Sequence, residues 1–448
     1  MTFPRLRKAV PVLLFAAAVA CTACAAGGRD MWTVCAAGIL LSIVSVLTGH
    51  RMLKRKTKVP VPPMAVLLAV FFIYMGAVSL YRDAWAVSFP FLVKLTVYAL
   101  AYISAFWFFN RSHRIAAFFI LLTAAGSLFT LYGLIRYLYD VYNEGVTRAA
   151  LTGPYVNKNH FAFLMEMTIP CAAALLLFPF EKSRKGMIVY SVIIMSAGLV
   201  FSMSRGGWIS FLIGCIVCGI LLFPLSRKKG ALVSGSIAVS IILLCLTVFY
   251  SIGITPVIKR VESTIDDRYM GMEGRYRIWE SSFHSIKETP WLGKGAGTFP
   301  YSYQTYRTKG IYRRVTFAHN DYIQILFETG IIGLIFIIII LGERVYPYVL
   351  SGCKYYSDRI LSEHYDEIQT PGHCSVRFAA SAAVAFAVTA AAVHSCVDFS
   401  LHLGANGILL AILTGIGMRI GYDVPENDDT DKNPDSHPRD PDNPDMQS

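Results

Sequence analysis

The chain carries few charged residues for its length. Of its 448 residues, 16% are Asp, Glu, Lys or Arg and 55% are hydrophobic, whereas ordinary soluble domains contain about 25% charged residues. A soluble protein of this length could not bury so much apolar surface in one core. The composition therefore excludes a disordered, collagen-like or disulfide-scaffold protein and favours a protein of the lipid bilayer.

The sequence also lacks the common signatures of cofactor, metal and hydrolase sites. It has no P-loop, no His-Glu-x-x-His, no Cys/His zinc set and no Gly-x-Ser-x-Gly elbow. Its Asp-x-Asp pairs lie only in the C-terminal tail, and most of its ten cysteines fall in apolar runs, so a disulfide framework is not indicated. We therefore expect neither a cofactor nor a metal ion.

Long apolar stretches dominate what is present. A membrane-spanning helix needs about 20 apolar residues, and twelve stretches qualify, the fourth of them interrupted by Lys94. They predict an all-α polytopic membrane protein with about twelve transmembrane helices, near residues 9–27, 31–49, 64–82, 88–109, 115–139, 160–180, 187–203, 207–225, 231–253, 320–342, 375–397 and 403–421.

The distribution of charge predicts the orientation of these spans. The net charge is +12, but residues 421–448 hold nine acids and two bases, a net of −7, so the rest of the chain carries +19. This excess lies in short clusters between spans, as in membrane proteins whose cytoplasmic loops are basic, and not on a nucleic-acid-binding surface. Both termini are then cytoplasmic, and the Asp-, Asn- and Pro-rich tail at 422–448 is predicted to be disordered. The clusters lie at residues 51–58, 111–114, 182–185 and 227–229.

One connecting segment, residues 254–318, is much longer than the others and falls on the external side. It holds eleven Lys and Arg, six acids and eleven aromatic residues. Arginine binds phosphate oxygens with two parallel hydrogen bonds, and aromatic faces can stack on sugar rings. The loop therefore suits an anionic, glycan-bearing partner. A loop that rests on anionic lipid headgroups has the same composition, and both interpretations stay open.

Several polar residues near the external ends of the spans are candidates for chemistry. His319 could accept a proton near neutral pH, or it could be an interfacial residue beside a helix cap, with Asn320 or Asp321 as the capping residue. Arg205, in the short hairpin Ser204-Arg-Gly-Gly207, could be functional or could extend to the interface. His394 and Asp398 share a helix face and could form a proton relay or a structural polar cluster.

At this point several short motifs together resemble the O-antigen ligase and polymerase superfamily. They are Gly274-Arg-Tyr-Arg-Ile-Trp279, Thr289-Pro-Trp-Leu-Gly-Lys-Gly-Ala-Gly-Thr-Phe299, Ala318-His-Asn-Asp-Tyr322 and Glu328-Thr-Gly330. Ser204-Arg-Gly206, Asn157-Lys-Asn159 and the region Asp398–His402 follow the same order as in that family. The resemblance covers roughly residues 150–415, whereas the N-terminal third is similar only in hydropathy.

The resemblance implies a helical fold of the glycosyltransferase C type with a long periplasmic loop, in the bacterial inner membrane. It implies transfer of a glycan from a polyprenyl-diphosphate carrier, with His319 as the essential histidine, Arg275 as the loop arginine and Arg205 as the hairpin arginine. Arg277 is a second loop arginine. Supporting roles fall to Asn157, Asn159, Tyr322, His394 and Asp398.

We therefore interpret the chain as a periplasm-facing, inverting, metal-independent glycosyltransferase. Residues 1–150 are N-terminal transmembrane helices, 151–421 form the ligase-like core, and 422–448 are the tail. The acceptor is a hydroxyl of lipid A-core or of another surface glycan or glycolipid, and membrane lipids surround the protein. A repeat-unit polymerase of the same superfamily is one alternative. A polytopic anion or proton-coupled transporter, using Lys94, Arg205, His394 and Asp398, is another.

Overall fold

The protein is built from helices. The computed structural model describes residues 3–54, 56, 59–144, 150–222, 272–308, 314–362 and 371–425, and no strand occurs among them. Eight helical stretches in these ranges are long and apolar enough to cross a membrane, and three shorter apolar helices accompany them. The predicted class, an all-α polytopic membrane protein, is confirmed. The longer helices are α1 (Phe3–Cys24), α2 (Met31–Lys54), α3 (Ala65–Tyr81), α4 (Trp85–Phe108), α5 (Ser112–Glu144), α6 (Lys158–Ala174), α7 (Lys182–Phe201), α8 (Arg205–Leu222), α9 (Met272–Glu288), α10 (Asp321–Ile339), α11 (Tyr346–Ser362), α12 (Pro371–His394) and α13 (Gly404–Tyr422).

The predicted spans coincide with these helices wherever the structure describes them. The predicted span at 231–253 lies outside the described residues, as do parts of the external loop (254–271 and 309–313) and the tail from residue 426 onward. The helices α9 and α11 were not among the predicted spans. The first lies within the external loop, and the second extends the chain beyond the span predicted at 320–342.

One apolar core joins helices from the whole length of the chain. Phe15 of α1, Phe106 of α4, Phe163 of α6 and Ile412 of α13 belong to it and are fully buried. The core therefore includes residues on both sides of the predicted boundary at residue 150. Small residues allow close helix contacts here, as is common in membrane proteins.

The helix α9 is amphipathic and covers a second, smaller core on the external side. Ile278 and Ile286 are buried, whereas Tyr276 and Phe283 are exposed. With the buried Ser282 between the two isoleucines, the buried positions recur every four residues, the spacing of one helix face. The buried face packs against a cluster that includes Phe299, Tyr303, Val315, Ala318 and Phe327.

Gly330 interrupts α10, which differs from the continuous span predicted at 320–342. Its backbone has φ 67° and ψ −171°, a conformation that is essentially restricted to glycine. The segment 290–297 fills the break, because Lys294 N donates to Phe327 O (3.0 Å) and Ile331 N donates to Pro290 O (2.8 Å). Two of the motifs quoted above, 289–299 and 328–330, are thus one packing unit.

The break redirects the helix. Tyr322 donates to Ala392 O of α12 (2.9 Å), and the Tyr346 hydroxyl lies 3.1 Å from the Thr389 hydroxyl of the same helix. A straight helix would place residues 322 and 346 about 36 Å apart, at 1.5 Å per residue. Because their partners lie within one turn of α12, the chain between them leaves α12 and returns to it. Between them, Tyr74 of α3 donates to Thr329 O at the break (2.6 Å).

The segments next to two of the predicted cytoplasmic clusters, 51–58 and 111–114, lie together at one end of the bundle, and the cluster at 227–229 lies outside the described residues. Trp107 Nε1 donates to Pro60 O (3.0 Å), and the Ser112 hydroxyl lies 3.1 Å from His373 Nδ1. These contacts bring together the end of α2 and the beginnings of α5 and α12. The candidate residues lie at the other ends of the helices, where α8 and α10 begin and α12 ends.

Candidate functional site

The candidate site is built around the connection between α12 and α13, residues 395–403. The end of α12 turns tightly, because the amides of Val397 and Asp398 both donate to His394 O (2.9 and 3.1 Å). A 3₁₀ turn, Ser400–His402, then leads into α13. This connection contacts α6, α8, α9 and α10, so it gathers residues from distant parts of the sequence.

His319 lies immediately before α10 in a left-handed backbone conformation, with φ 51°. Few non-glycine residues adopt this conformation, and local hydrogen bonds fix the chain on both sides of it. Ala318 O accepts from Trp279 Nε1 of α9 (2.9 Å), and the Asn320 side chain caps α10 by accepting from Ile323 N (3.0 Å). The structure thus supports the predicted cap at Asn320 and gives His319 a defined orientation.

The ring of His319 contacts Asp398. His319 Nδ1 lies 3.3 Å from Asp398 Oδ1, and the two side chains are 19% and 1% exposed. The ring also meets Phe399 edge-to-face, with 4.9 Å between ring centroids. Because Nδ1 faces the carboxylate, Nε2 lies on the side of the ring away from Asp398.

Asp398 is a buried carboxylate that keeps its negative charge. Burial alone would raise its pKa, but the hydrogen bond with His319 and the nearby positive charge of Arg275 hold the pKa of Asp398 below its ordinary value. Oδ1 also accepts from Phe399 N (2.9 Å). A buried anion of this kind orients and stabilises a positively charged histidine.

Arg275, on α9, reaches the same connection. Its Nη1 donates to Val397 O, the residue next to Asp398. The guanidinium and the His319 ring therefore contact consecutive residues, 397 and 398. Arg277 is exposed and lies about 200° round the helix from Arg275, at 100° per residue, so the two loop arginines do not share a face.

Arg205 begins α8, and its hairpin rests on the same connection. Met203, two residues earlier, has a left-handed φ of 53°. A Cβ on Gly206 would lie only 2.9 Å from Val397 Cγ2, so the backbone there approaches Val397 more closely than a larger residue allows. The structure thus brings Arg205, Arg275 and His319 to one short segment of the chain.

A second His–Asp pair crosses the first. His402 Nδ1 lies 2.9 Å from Asp321 Oδ1, and Asp321 Oδ2 accepts from the Ser395 hydroxyl (2.9 Å). The backbone amide of Asp321 also donates to Ser395 O (2.8 Å). This pair ties the segment that carries His319 to the segment that carries Asp398. From the sequence, Asp321 is predicted only as a possible helix cap, because the motif does not reveal a partner 81 residues away.

Lys94 stabilises the same region from α4. Its Nζ donates to His402 O (2.9 Å), which explains a charge within an apolar span. Tyr322, a predicted supporting residue, bonds Ala392 O of α12 and thereby anchors the beginning of α10.

A buried pair of side chains, His394 and Glu166, lies beside the connection, and the sequence predicted only one of its two members. His394 Nδ1 lies 2.7 Å from Glu166 Oε1, and the side chains are 1% and 0% exposed. His394 was a candidate, but Glu166 was not. The available signal was a single carboxylate inside the apolar stretch 160–180, which is costly in a membrane unless it is paired.

The two asparagines lie at the start of α6. Asn157 Oδ1 accepts from Asn159 N (2.9 Å), so Asn157 is the helix cap. The structure gives neither side chain a contact with His319 or Asp398. Among the described residues, no group of three or more His, Cys, Asp or Glu side chains is arranged to hold a metal ion.

Comparisons with known proteins point to a glycan-transfer family. Residues 190–338 match the family model described as O-antigen ligase. This region contains Arg205, Arg275, Arg277, His319 and Tyr322. The match confirms the predicted resemblance to the O-antigen ligase superfamily over about a third of the chain.

One curated relative is an uncharacterized protein of Haemophilus influenzae. It is 25% identical over 182 residues, which is 38% of this chain and 44% of that protein. The chain thus matches less than half the length of this relative, whose name states no activity.

Proposed function

We propose that this protein transfers a glycan from a polyprenyl-diphosphate carrier to an acceptor hydroxyl at the periplasmic face of the bacterial inner membrane. The family match supports membrane glycan transfer of the ligase or polymerase type. The observation that carries the proposal is the convergence of His319, Arg275 and the Arg205 hairpin on residues 397 and 398. One proton acceptor and two cations at one membrane surface suit a displacement at the anomeric carbon of a sugar in which a diphosphate is the leaving group.

His319 is the proposed general base. The acceptor hydroxyl attacks the anomeric carbon, its proton passes to His319 Nε2, and the bond between that carbon and the carrier phosphate breaks. Asp398 holds Nδ1 and stabilises the imidazolium that forms, since its own charge persists. Direct displacement inverts the anomeric centre, and His319, whose side chain is 19% exposed, returns its proton to solvent.

Arg275 and Arg205 are proposed to hold the diphosphate. The electron pair of the broken bond stays on the leaving oxygen, and guanidinium groups stabilise the negative charge that develops there. Arg275 is oriented in advance by its bond to Val397 O. Such preorganised donors lower the barrier because they do not have to reorient during the reaction. A metal ion is not part of this scheme.

Two kinds of acceptor are compatible with this reaction. A ligase transfers the glycan to a lipid A-core sugar or to another surface acceptor, whereas a polymerase extends a second carrier-linked chain. The two reactions share the base and the diphosphate contacts, so they are separated by their products. In a deletion strain, intact polymer left on its carrier indicates a ligase, and single repeats on a normal acceptor indicate a polymerase.

The direct test is release of carrier diphosphate by the purified protein, with a polyprenyl-diphosphate-linked glycan, an acceptor glycolipid and EDTA. We expect acceptor-dependent release of the diphosphate and of a glycosylated product. Uptake of a solute into proteoliposomes without diphosphate release would instead support the transporter alternative. Loss of turnover in EDTA that magnesium restores would contradict metal independence.

Replacement of the proposed base tests the mechanism itself. We expect His319→Ala to lower the transfer rate by about 10²–10⁴-fold, the usual contribution of a general base. His284→Ala is a matched control, because His284 is exposed on α9 and its Nδ1 lies 2.9 Å from Glu280 O of its own helix. Near-normal transfer by a folded His319→Ala protein would rule out this assignment.

A further inference from the structure

We infer that the buried Glu166–His394 pair positions Arg205 against the connection between α12 and α13. This inference rests on the proposed role of Arg205 at the carrier diphosphate. Neither member of the pair touches the substrate in this scheme. Both act through the backbone of the hairpin Ser204–Gly207, so they are positioning residues.

The pair is a rigid support. The 2.7 Å contact joins α6 to the end of α12, and neither side chain is more than 1% exposed. Removal of one member would leave a buried polar or charged group without its partner, which is strongly unfavourable. A carboxylate in the middle of an apolar span is retained in proteins chiefly where it has such a role.

Both glycines of the hairpin lie close to this pair. A Cβ on Gly207 would lie 2.8 Å from Ala162 Cβ and 3.1 Å from Glu166 Oε1, and a Cβ on Gly206 would lie 2.9 Å from Val397 Cγ2 and 3.4 Å from His394 Nε2. His394 Nε2 is buried and has no hydrogen-bond partner among the residues that the structure describes. The pair thus defines how closely the backbone beside Arg205 can approach Val397.

Local hydrogen bonds set the shape of the hairpin but not its place. Gly207 N donates to the Ser204 hydroxyl (3.2 Å), and Ser204 N donates to the Ser202 hydroxyl (3.2 Å). These bonds are internal, so they move with the hairpin. The contact with Glu166 and His394 relates the hairpin to α6 and α12, and hence to the rest of the site.

The opposite side of the site has supports of its own. Asp321 N donates to Ser395 O and Asn320 Nδ2 donates to Cys396 O, both at 2.8 Å. These bonds hold His319 to the connection without Glu166. We therefore expect loss of the pair to displace Arg205 more than His319. A double mutant that combines loss of the pair with loss of Arg205 can therefore test the inference.

The test measures the transfer rate with a defined polyprenyl-diphosphate donor, in the wild type and in an Arg205→Ala background. Glu166→Leu removes both carboxylate oxygens, and we expect it to lower kcat by about 10²-fold, as a misplacement of about 1 Å can do. The KM for the acceptor should not change. Glu166→Gln keeps an oxygen that accepts from His394 Nδ1–H, so it should restore most of the rate.

The decisive measurement is the double mutant. If Glu166 acts through Arg205, Glu166→Leu should change the rate of Arg205→Ala by less than about threefold, since residues that act as a unit are not additive. Thr168→Val is the matched control. Thr168 lies two residues along α6, is equally buried and bonds Leu164 O of its own helix (2.8 Å), so its replacement should leave kcat unchanged.

Each outcome has a distinct meaning. Multiplicative losses in the double mutant, or normal kcat in Glu166→Leu, would overturn the positioning role while the proposed reaction stands. Normal kcat in Arg205→Ala would overturn both that arginine's proposed role and this inference. If Glu166→Leu does not fold, Gly207→Ala replaces it, because the added methyl displaces the hairpin from α6, where it meets Ala162 Cβ (2.8 Å) and Glu166 Oε1 (3.1 Å). It should lower kcat in the same way and again add little to Arg205→Ala.

Discussion

Two arginine-bearing segments contact Val397 in different ways. The guanidinium of Arg275 bonds its carbonyl, and the hairpin of Arg205 packs on its side chain at Gly206. A guanidinium that is held at one nitrogen still has other N–H groups in a fixed plane. It can therefore present two parallel donors to a phosphate, whereas a lysine ammonium acts as a point charge.

This difference predicts the effect of charge-conserving substitutions. Arg275→Lys and Arg205→Lys should each impair transfer strongly, and the alanine variants more so. Loss of a preorganised donor at a developing charge costs about 3–4 kcal/mol, or 10²–10³-fold in rate. The measurement is the transfer rate at matched protein levels, with a defined polyprenyl-diphosphate donor.

Arg314 is the control for this experiment. It is an exposed loop residue whose guanidinium lies over the Tyr301 ring, 5.5 Å from the centroid, and it belongs to no matched motif. Arg314→Lys should be mild. Equal tolerance at Arg275 and Arg314 would mean that the loop supplies only a diffuse positive field, as a loop resting on headgroups would.

The sequence predicted candidate residues better than their partners. His319, Arg275 and Arg205 follow from short motifs, and the structure brings their segments together. The contact between His319 and Asp398 spans 79 residues, and that between Glu166 and His394 spans 228. Which side chains pair across such separations depends on how the helices pack. The hydropathy pattern of a single sequence does not contain this information.

The break in α10 could likewise not be predicted from the local sequence. The apolar run continues through residues 331–340, so hydropathy indicates one continuous helix. The break depends on Gly330 and on the segment 290–297, which is far enough away that no local pattern connects them. The glycine-rich stretch Gly293–Gly297 is itself a turn signal, and the positive φ values of Gly293, Gly295 and Gly297 agree with a turn there.

Substitution of Gly330 tests this packing unit. A Cβ there would lie 2.2 Å from Trp291 O, in a backbone region that only glycine adopts readily. We expect Gly330→Ala to destabilise the fold by about 1–3 kcal/mol from backbone strain alone, with a further steric cost. Thermal unfolding in detergent measures the change as a lower midpoint.

Gly76→Ala is the matched control for that measurement. Gly76 lies inside α3, and a Cβ there meets no atom within 4 Å. Alanine is favoured over glycine within a helix by about 0.5–1 kcal/mol, so this variant should unfold at the same temperature or slightly higher. An unchanged midpoint for Gly330→Ala would show that α10 accommodates a regular helix there.

At the scale of the whole molecule, hydropathy predicted the helices, and the charge pattern predicts how they are oriented in the membrane. The contacts Trp107–Pro60 and Ser112–His373 place the helix ends beside two of the basic clusters, 51–58 and 111–114, together, and the candidate residues lie at the other end of the bundle. The presence of each helix could be predicted because a spanning helix needs about 20 apolar residues and must form its backbone hydrogen bonds internally. The lateral arrangement of those helices could not be, since every helix presents a similar apolar surface to lipid and to protein.

The orientation of this bundle in the membrane is the last prediction. Basic loops remain on the cytoplasmic side, so the clusters at 51–58, 182–185 and 227–229 assign the segment around Gly310 to the periplasm and the acidic tail to the cytoplasm. Fusions of alkaline phosphatase, which needs the oxidising periplasm for its disulfides, should be active after Gly310 and inactive in the tail. A fusion after Ser183, inside a basic cluster, is the internal control and should also be inactive. Activity from the tail would mean that the number of spans differs from twelve by an odd number, and the proposed site at the ends of α8, α10 and α12 would then need its face of the membrane assigned independently.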